Sequence, residues 1–244
     1  MRKIDSIEKK EKSYLEYKRL GQMLGVPVFE AFLELEVRDK DGKVIYSHKQ
    51  RSHSWVRNAY NFMFTYLACK NPSDSTYGAG LLSAKDTGGT VRYNTTKPFN
   101  HDSGYSLDSF SAYYISGLLT IVGEYRKGIV IGTGTNVEDF EDYILQTQIA
   151  NGTGAGQMSY NQSVAHSVAY DAGTKTLTDT LERHFDNNSG GSITVNEVGI
   201  YCGWQVSTTL FQAMTVRDKL ASGIAVPDAG ILKVIYEISL VYPA

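Results

Sequence analysis

This chain of 244 residues is short of the residues that most readily announce a function. It holds only 2 Cys, too few for a disulfide framework or a cysteine metal cluster. Cys69 and Cys202 admit either one disulfide or two buried thiols. Charge of one sign is missing as well. Lys+Arg number 24 against 26 Asp+Glu, a net charge of -2, so there is no basic excess of the kind that marks a nucleic-acid binder. No run approaches the roughly 20 apolar residues that span a bilayer, which excludes a membrane-spanning helix. Met1 to Lys12 is charged, with no apolar core before a small-residue cleavage site, and does not read as a signal peptide. A soluble protein made in the cytosol is expected. The sequon matches at Asn94 and Asn151 carry little weight without a secretory route. Fixed-period repeats are absent, which excludes a solenoid.

What is abundant is tyrosine, 17 residues, beside 23 Gly and only 5 Pro. Tyr suits strands and also contact surfaces, where the ring packs and the hydroxyl stays hydrated. The clearest pattern lies in the last third. Ser192–Tyr201 and Leu210–Asp218 read as strands, Val226-Pro-Asp-Ala-Gly230 as a turn, and Ile231–Val241 as a closing strand. In the closing strand Leu232, Val234, Tyr236, Ile238 and Leu240 share one face, and Lys233, Glu237 and Ser239 the other. Such alternation marks a half-buried antiparallel strand.

Residues 1–24 read as a polar amphipathic helix with a thin stripe of Ile4, Ile7, Tyr14, Leu15, Tyr17 and Leu20. A helix this polar needs a neighbour, and an adjacent subunit is the expected one. Residues 26–51 read as a hairpin about Asp39-Lys-Asp-Gly42, with Phe29, Ala31, Leu33, Leu35 and Val37 on its buried face. Ser52-His-Ser54 offers caps for a helix from Trp55 to Cys69, with Trp55, Ala59, Phe62, Met63 and Tyr66 on its apolar face. Residues 71–127 read as a long polar loop, of a length that usually has a task or a partner. A strand is expected at 127–134, a helix or turn at Val137–Tyr143, and a hairpin over 158–185.

The chemistry-bearing groupings each stop short of a site. Gly132-Thr-Gly134 follows a strand as a phosphate loop does, but no Gly-Lys-Ser/Thr follows it, and the acidic run Glu138 to Asp142 repels phosphate. That run lacks the alternating spacing of a calcium loop and reads as the solvated first turn of a helix. The five His are scattered; His166 and His184 can pair across the expected hairpin, without further ligands for zinc. No Gly-x-Ser-x-Gly elbow occurs. Glu197 beside Arg217 and Asp218 reads as a cross-strand ion pair rather than a glycosidase carboxylate. No catalytic residue, metal or cofactor is therefore expected.

Three stretches taken together resemble small virion proteins of tailed bacteriophages. They are Gly132-Thr-Gly-Thr135 with the acidic segment to Tyr143 and Leu145, then Arg183–Tyr201, then Leu220–Gly230. The likeness covers about residues 127–242. A looser echo lies in Asp39–Tyr46 and Ser52–Asn58, while 71–127 departs from the pattern. The resemblance implies a β-sandwich structural subunit of the head, connector or tail. Its partners would be copies of itself and capsid, portal or tail proteins, with no nucleic acid or membrane contacted directly, and its place would be the virion.

The expected architecture is mainly β. It is an antiparallel β-sandwich over 25–244 with one packed helix at 55–69, a loop excursion at 71–127 and an N-terminal helical arm at 1–24. Tyr14, Tyr17 and Leu20 on the arm, Tyr77, Tyr93 and Phe99 in the excursion, and Trp204 are the expected partner contacts. The alternative is a carbohydrate- or receptor-binding β-sandwich module of a viral fibre or bacterial surface system, with Trp204 as its stacking platform.

Overall fold

The computed structural model describes residues 2–68, 83–92, 120–206 and 209–243, with side chains described except at 2–10, 65–68, 204–206 and 209–210. The expected contacts Tyr77, Tyr93 and Phe99, and Cys69, lie outside the described residues, as does the side chain of Trp204.

The chain is mainly β, and its sheets are antiparallel. Strands β1 (Val28–Arg38) and β2 (Val44–Arg51) form the first hairpin. Gly42 turns it with φ +78° while Asp39 Oδ1 accepts the Asp41 and Lys43 amides at 3.0 Å each. The first sheet runs β2-β1-β11-β8, where β8 spans Thr176–Asn187 and β11 spans Gly230–Val241. Strands β6 (Ser159–Tyr160) and β7 (Ser167–Asp171) both pair with the far side of β8. The second sheet runs β10-β9-β5, made of Thr209–Val226, Ile193–Val206 and Gly128–Gly132. A small ribbon, β3 (Ala84–Lys85) with β4 (Val91–Arg92), sits inside the stretch expected to be loop.

Alternation decides the layers. Ala31, Leu33, Leu35 and Val37 of β1 and Leu232, Val234 and Tyr236 of β11 are buried. All of these but Ala31 share one core with Val130, Val195, Val198 and Val216 of the second sheet. Each such side chain contributes about 1.5–3 kcal/mol by leaving water. The other face of the first sheet is charged: Glu34 pairs with Lys49, and Glu182 with Lys233 at 3.0 Å. The second sheet is covered on its outer side by 133–149, onto which Glu197, Gly199 and Tyr201 turn.

Helix α1 spans Arg2–Leu24, as the sequence pattern indicates. Helix α2 spans Arg57–Ala68 and starts two residues later than the Trp55 expected. The reason is a competing partner. The Val56 amide donates to Thr215 O and the Arg217 amide to Ser54 O, both at 3.1 Å, so 54–56 run as a short edge on β10. The Trp55 ring therefore leaves the helix face and meets Phe29 edge-on at 4.8 Å. Among the described side chains of 54–64, Val56, Asn58 and Ala59 are buried and Met63 is exposed. The acidic stretch 138–142 forms a turn and not a helix, because its carboxylates are taken by Arg217, the Lys219 amide and the Glu141 amide.

Candidate contact surfaces and the buried polar network

The anion cradle that Gly132-Thr-Gly134 resembles is built, and a carboxylate of the chain itself fills it. Glu197, fully buried on β9, accepts the amides of Gly134, Gln146 and Thr147 at 3.1, 3.1 and 2.8 Å. It also receives Arg217 Nε at 2.8 Å. A Cβ on Gly132 would lie 2.5 Å from Glu197 Oε1, so the loop closes on the carboxylate only because glycine stands there. Arg217 is itself 2% exposed, and its Nη1 reaches Asp142 at 2.6 Å. Burial of Arg217 acts to lower its pKa, and its two carboxylates outweigh that and leave the pKa raised. The expected pairing of Glu197 with Arg217 is thus present, and it fastens the 133–147 segment to the sheet.

The next residue belongs to a second buried group. Asp218 accepts the Tyr236 hydroxyl at 3.0 Å and the His53 amide at 3.2 Å. Burial pushes its carboxyl up to about 6, against the pull of those bonds. Deeper still, Arg183 donates to four carbonyls, those of Asn161, Lys127, Ile129 and Glu124, at 2.6–3.1 Å. With no carboxylate bonded to it, burial lowers its pKa to about 10. All three groups bond to backbone atoms of loops, and the first also closes an ion-pair network, an arrangement that holds those loops in place.

His166 and His184 do not pair. His166 Nδ1 lies 3.2 Å from Asp179, and His184 Nε2 lies 2.9 Å from Glu182. Among the described residues no group of three or more His, Cys, Asp or Glu could hold a metal ion. Among them, too, no helix is long and apolar enough to cross a membrane. Cys202 is a free thiol, raised to about 12 by burial.

The outer surface carries the features suited to contact. Helix α1 lies on its own sheet through one face. Tyr14 donates its hydroxyl to Phe29 O at 2.9 Å under the Arg51 guanidinium, 3.9 Å from its ring centre. Arg51 in turn binds Glu11 at 2.7 Å, which lowers the Glu11 carboxyl, and Lys18 binds Glu30 at 2.7 Å. Gly21 is buried, and any Cβ there would strike Val28. Tyr14 is therefore committed to its own protomer, whereas the sequence pattern assigned it to a neighbour. Tyr17, Leu20 and Leu24 stand on a different face, three and four residues apart, and are 51%, 41% and 73% exposed.

A second apolar area joins α2 to the acidic turn. Tyr60 and Phe140 have ring centres 5.8 Å apart, Arg57 lies over Phe140, and Phe64 is exposed beside them on the helix. It borders a cavity of about 320 Å³ lined by Arg57, Asn58, Ser83, Lys85, Val91, Glu141 and Asp142. The composition pattern gave no hint of this area, because Phe140 sits in an acidic run that reads as solvated. Comparison with known proteins finds no matching family model, no matching curated protein and no matching solved structure.

Proposed function

We propose that this chain is a non-enzymatic structural subunit of a phage particle, a head decoration, connector or tail component, working through protein contacts in a symmetric assembly. The observation that carries the reading is the two-sided arm. One face of α1 is fixed to the sheet by Glu11, Tyr14, Lys18 and Gly21, while Tyr17, Leu20 and Leu24 are held out as an apolar stripe. An ordered helix that presents apolar residues to water gains from a neighbour covering them, at about 25 cal/mol per Å² of apolar surface. The buried charges Glu197, Arg217 and Arg183 hold loops against the sheets, which suits a rigid building block.

Particles produced from the genome that carries this gene test the proposal. The chain should be recovered from banded particles in a fixed ratio to the capsid protein. Deletion of residues 1–24 should leave a folded body that no longer incorporates. Absence of the intact chain from purified particles would overturn it. A second reading, carbohydrate binding, is favoured by the paired rings of Tyr60 and Phe140 beside a cavity that also carries the polar side chains of Asn58, Glu141 and Asp142. Glycan binding abolished by Tyr60→Ala and Phe140→Ala would support it.

A further inference from the structure

The sandwich protects its strand edges unequally. The edge of β10 is closed by 54–56, and that of β5 by 147–149, where Thr133 donates to Thr147 O at 2.8 Å and Ile149 to Ile131 O at 2.9 Å. The edge of β2 carries Lys49 and Arg51, and the register shifts where β1 passes from Val37 to Arg38. Covering, positive charge and bulges are the usual means of keeping an edge from pairing with another chain. Among the described residues, strand β7 has none of them. It holds no Lys, Arg or Pro, it pairs with β8 along its whole length, and all five of its residues are exposed. Among the described residues no backbone group pairs with its outer side. Val168 and Tyr170 are 66% and 54% exposed, and the Tyr170 ring lies 5.8 Å from that of Tyr242, which widens the apolar area.

We infer that β7 is a dimerisation edge, pairing antiparallel with β7 of a second copy about a two-fold axis at Ala169. The occupant follows from topology and charge. Along β2-β1-β11-β8-β7 every neighbouring pair is antiparallel, so β2 and β7 run the same way. Joining β7 to β2 of the next copy would then be parallel, whereas like edges meet antiparallel across a two-fold. Self-pairing of β2, which carries Lys49 and Arg51 and no carboxylate, would gather four positive charges along one join. Self-pairing of β7 opposes no like charges. Val168 meets Tyr170 of the second copy, and Ser167 meets Asp171, a hydroxyl donor facing a carboxylate. The two first sheets become one continuous sheet, with four apolar side chains clustered across the join.

Five residues a side fall short of the area of a stable interface, so the free dimer should be weak, with a Kd of about 10–100 µM. The inference does not depend on the virion reading, since any subunit with this edge would pair. In the full chain with Cys69→Ala and Cys202→Ala, Ala169→Cys places two thiols directly opposite. Opposed Cα atoms lie about 4.5–5.5 Å apart in an antiparallel pair, within disulfide reach. Mild oxidation should give a covalent dimer, and sedimentation of the Val168→Lys/Tyr170→Lys chain should show at least a tenfold weaker dimer with unchanged circular dichroism. Three results would overturn the inference: an Ala169→Cys chain that stays monomeric on oxidation at high concentration, self-association that persists unchanged in the double variant, or cross-links only to a different protein. Should the double variant misfold, the cross-link alone decides.

Discussion

Replacing Glu197 by Ala removes the acceptor on which the outer layer closes. Three amides, those of Gly134, Gln146 and Thr147, lose their partner at once, and Arg217 loses one of its two carboxylates. Deleting one member of a buried ion pair costs about 3–5 kcal/mol, and each orphaned buried donor about 1–3 kcal/mol. These do not add in full. Arg217 keeps Asp142 at 2.6 Å and the carbonyls of Asn136 and Val137, and the freed loop can admit water to its amides. We therefore expect a loss of about 4 kcal/mol, a large share of the roughly 5–15 kcal/mol that holds a domain folded. Glu197→Gln keeps one acceptor oxygen and should cost about half as much. Urea unfolding gives the magnitude, and amide hydrogen exchange gives the place: protection should fall first over 133–147. The Glu197→Ala/Arg217→Ala pair should lose less than the sum of the single losses, because removing both partners leaves no stranded charge. A Glu197→Ala protein of native stability, or one destabilised without faster exchange at 133–147, would refute the cradle as the fastener of this layer.

Asp218 sets a pH dependence of opposite sign to that of most carboxylates. Its folded value, about 6, lies above the unfolded one, so the native state holds the proton more tightly, and this site's stabilising contribution is lost as pH rises from about 4 through 6. Melting of Asp218→Asn should gain on the parent by about 2 kcal/mol between pH 4 and pH 7, and a constant difference would contradict the burial argument. Gly134→Ala should cost about 2–3 kcal/mol in chemical unfolding, since its Cβ would meet both Glu197 and Gln146 Cβ; a neutral effect would mean that the loop has room to shift. Tyr236→Asp should cost more than 3 kcal/mol, by burying a second carboxylate beside Asp218, whereas Ile238→Asp, at a partly buried position, should cost less; the reverse order in thermal melts would show the register to be misread.

The strands were legible because alternation is local. Each of β1, β8, β9 and β11 carries its own face pattern, and Asp39–Gly42 and Val226–Gly230 carry their own turn chemistry. The helix start was missed because Ser54–Val56 were claimed by β10, some 160 residues away, an attraction invisible in a capping pattern. Helix and turn stayed open for Val137–Tyr143 for the same reason: the partners that fix the turn, Arg217 and the Lys219 amide, lie in another strand. Glu197 and Arg217 could be paired from sequence, since facing charges in adjacent apolar strands need each other. That the glycines beside them cradle a carboxylate, and not a phosphate, needed the fold. The exposed face of α1 was half legible: the stripe was there, but which of its residues would turn inward depended on Arg51 and Phe29.

Sheet order also has a temporal consequence. The central pair of the first sheet joins Val28 to Val241, so β1 meets its main partner only after the other described strands have been synthesised. Until then the β1–β2 hairpin must wait at the ribosome with one apolar face uncovered, and contacts this distant in the chain close slowly. The second sheet, by contrast, is assembled from consecutive β9 and β10 and nearby β5, and can form first. The order of folding is then from the middle outward, with β11 inserting last between two elements already made. During that wait the charged row of Glu34, Glu36 and Lys49 would oppose pairing of the hairpin with another chain, as charges on an exposed strand generally do.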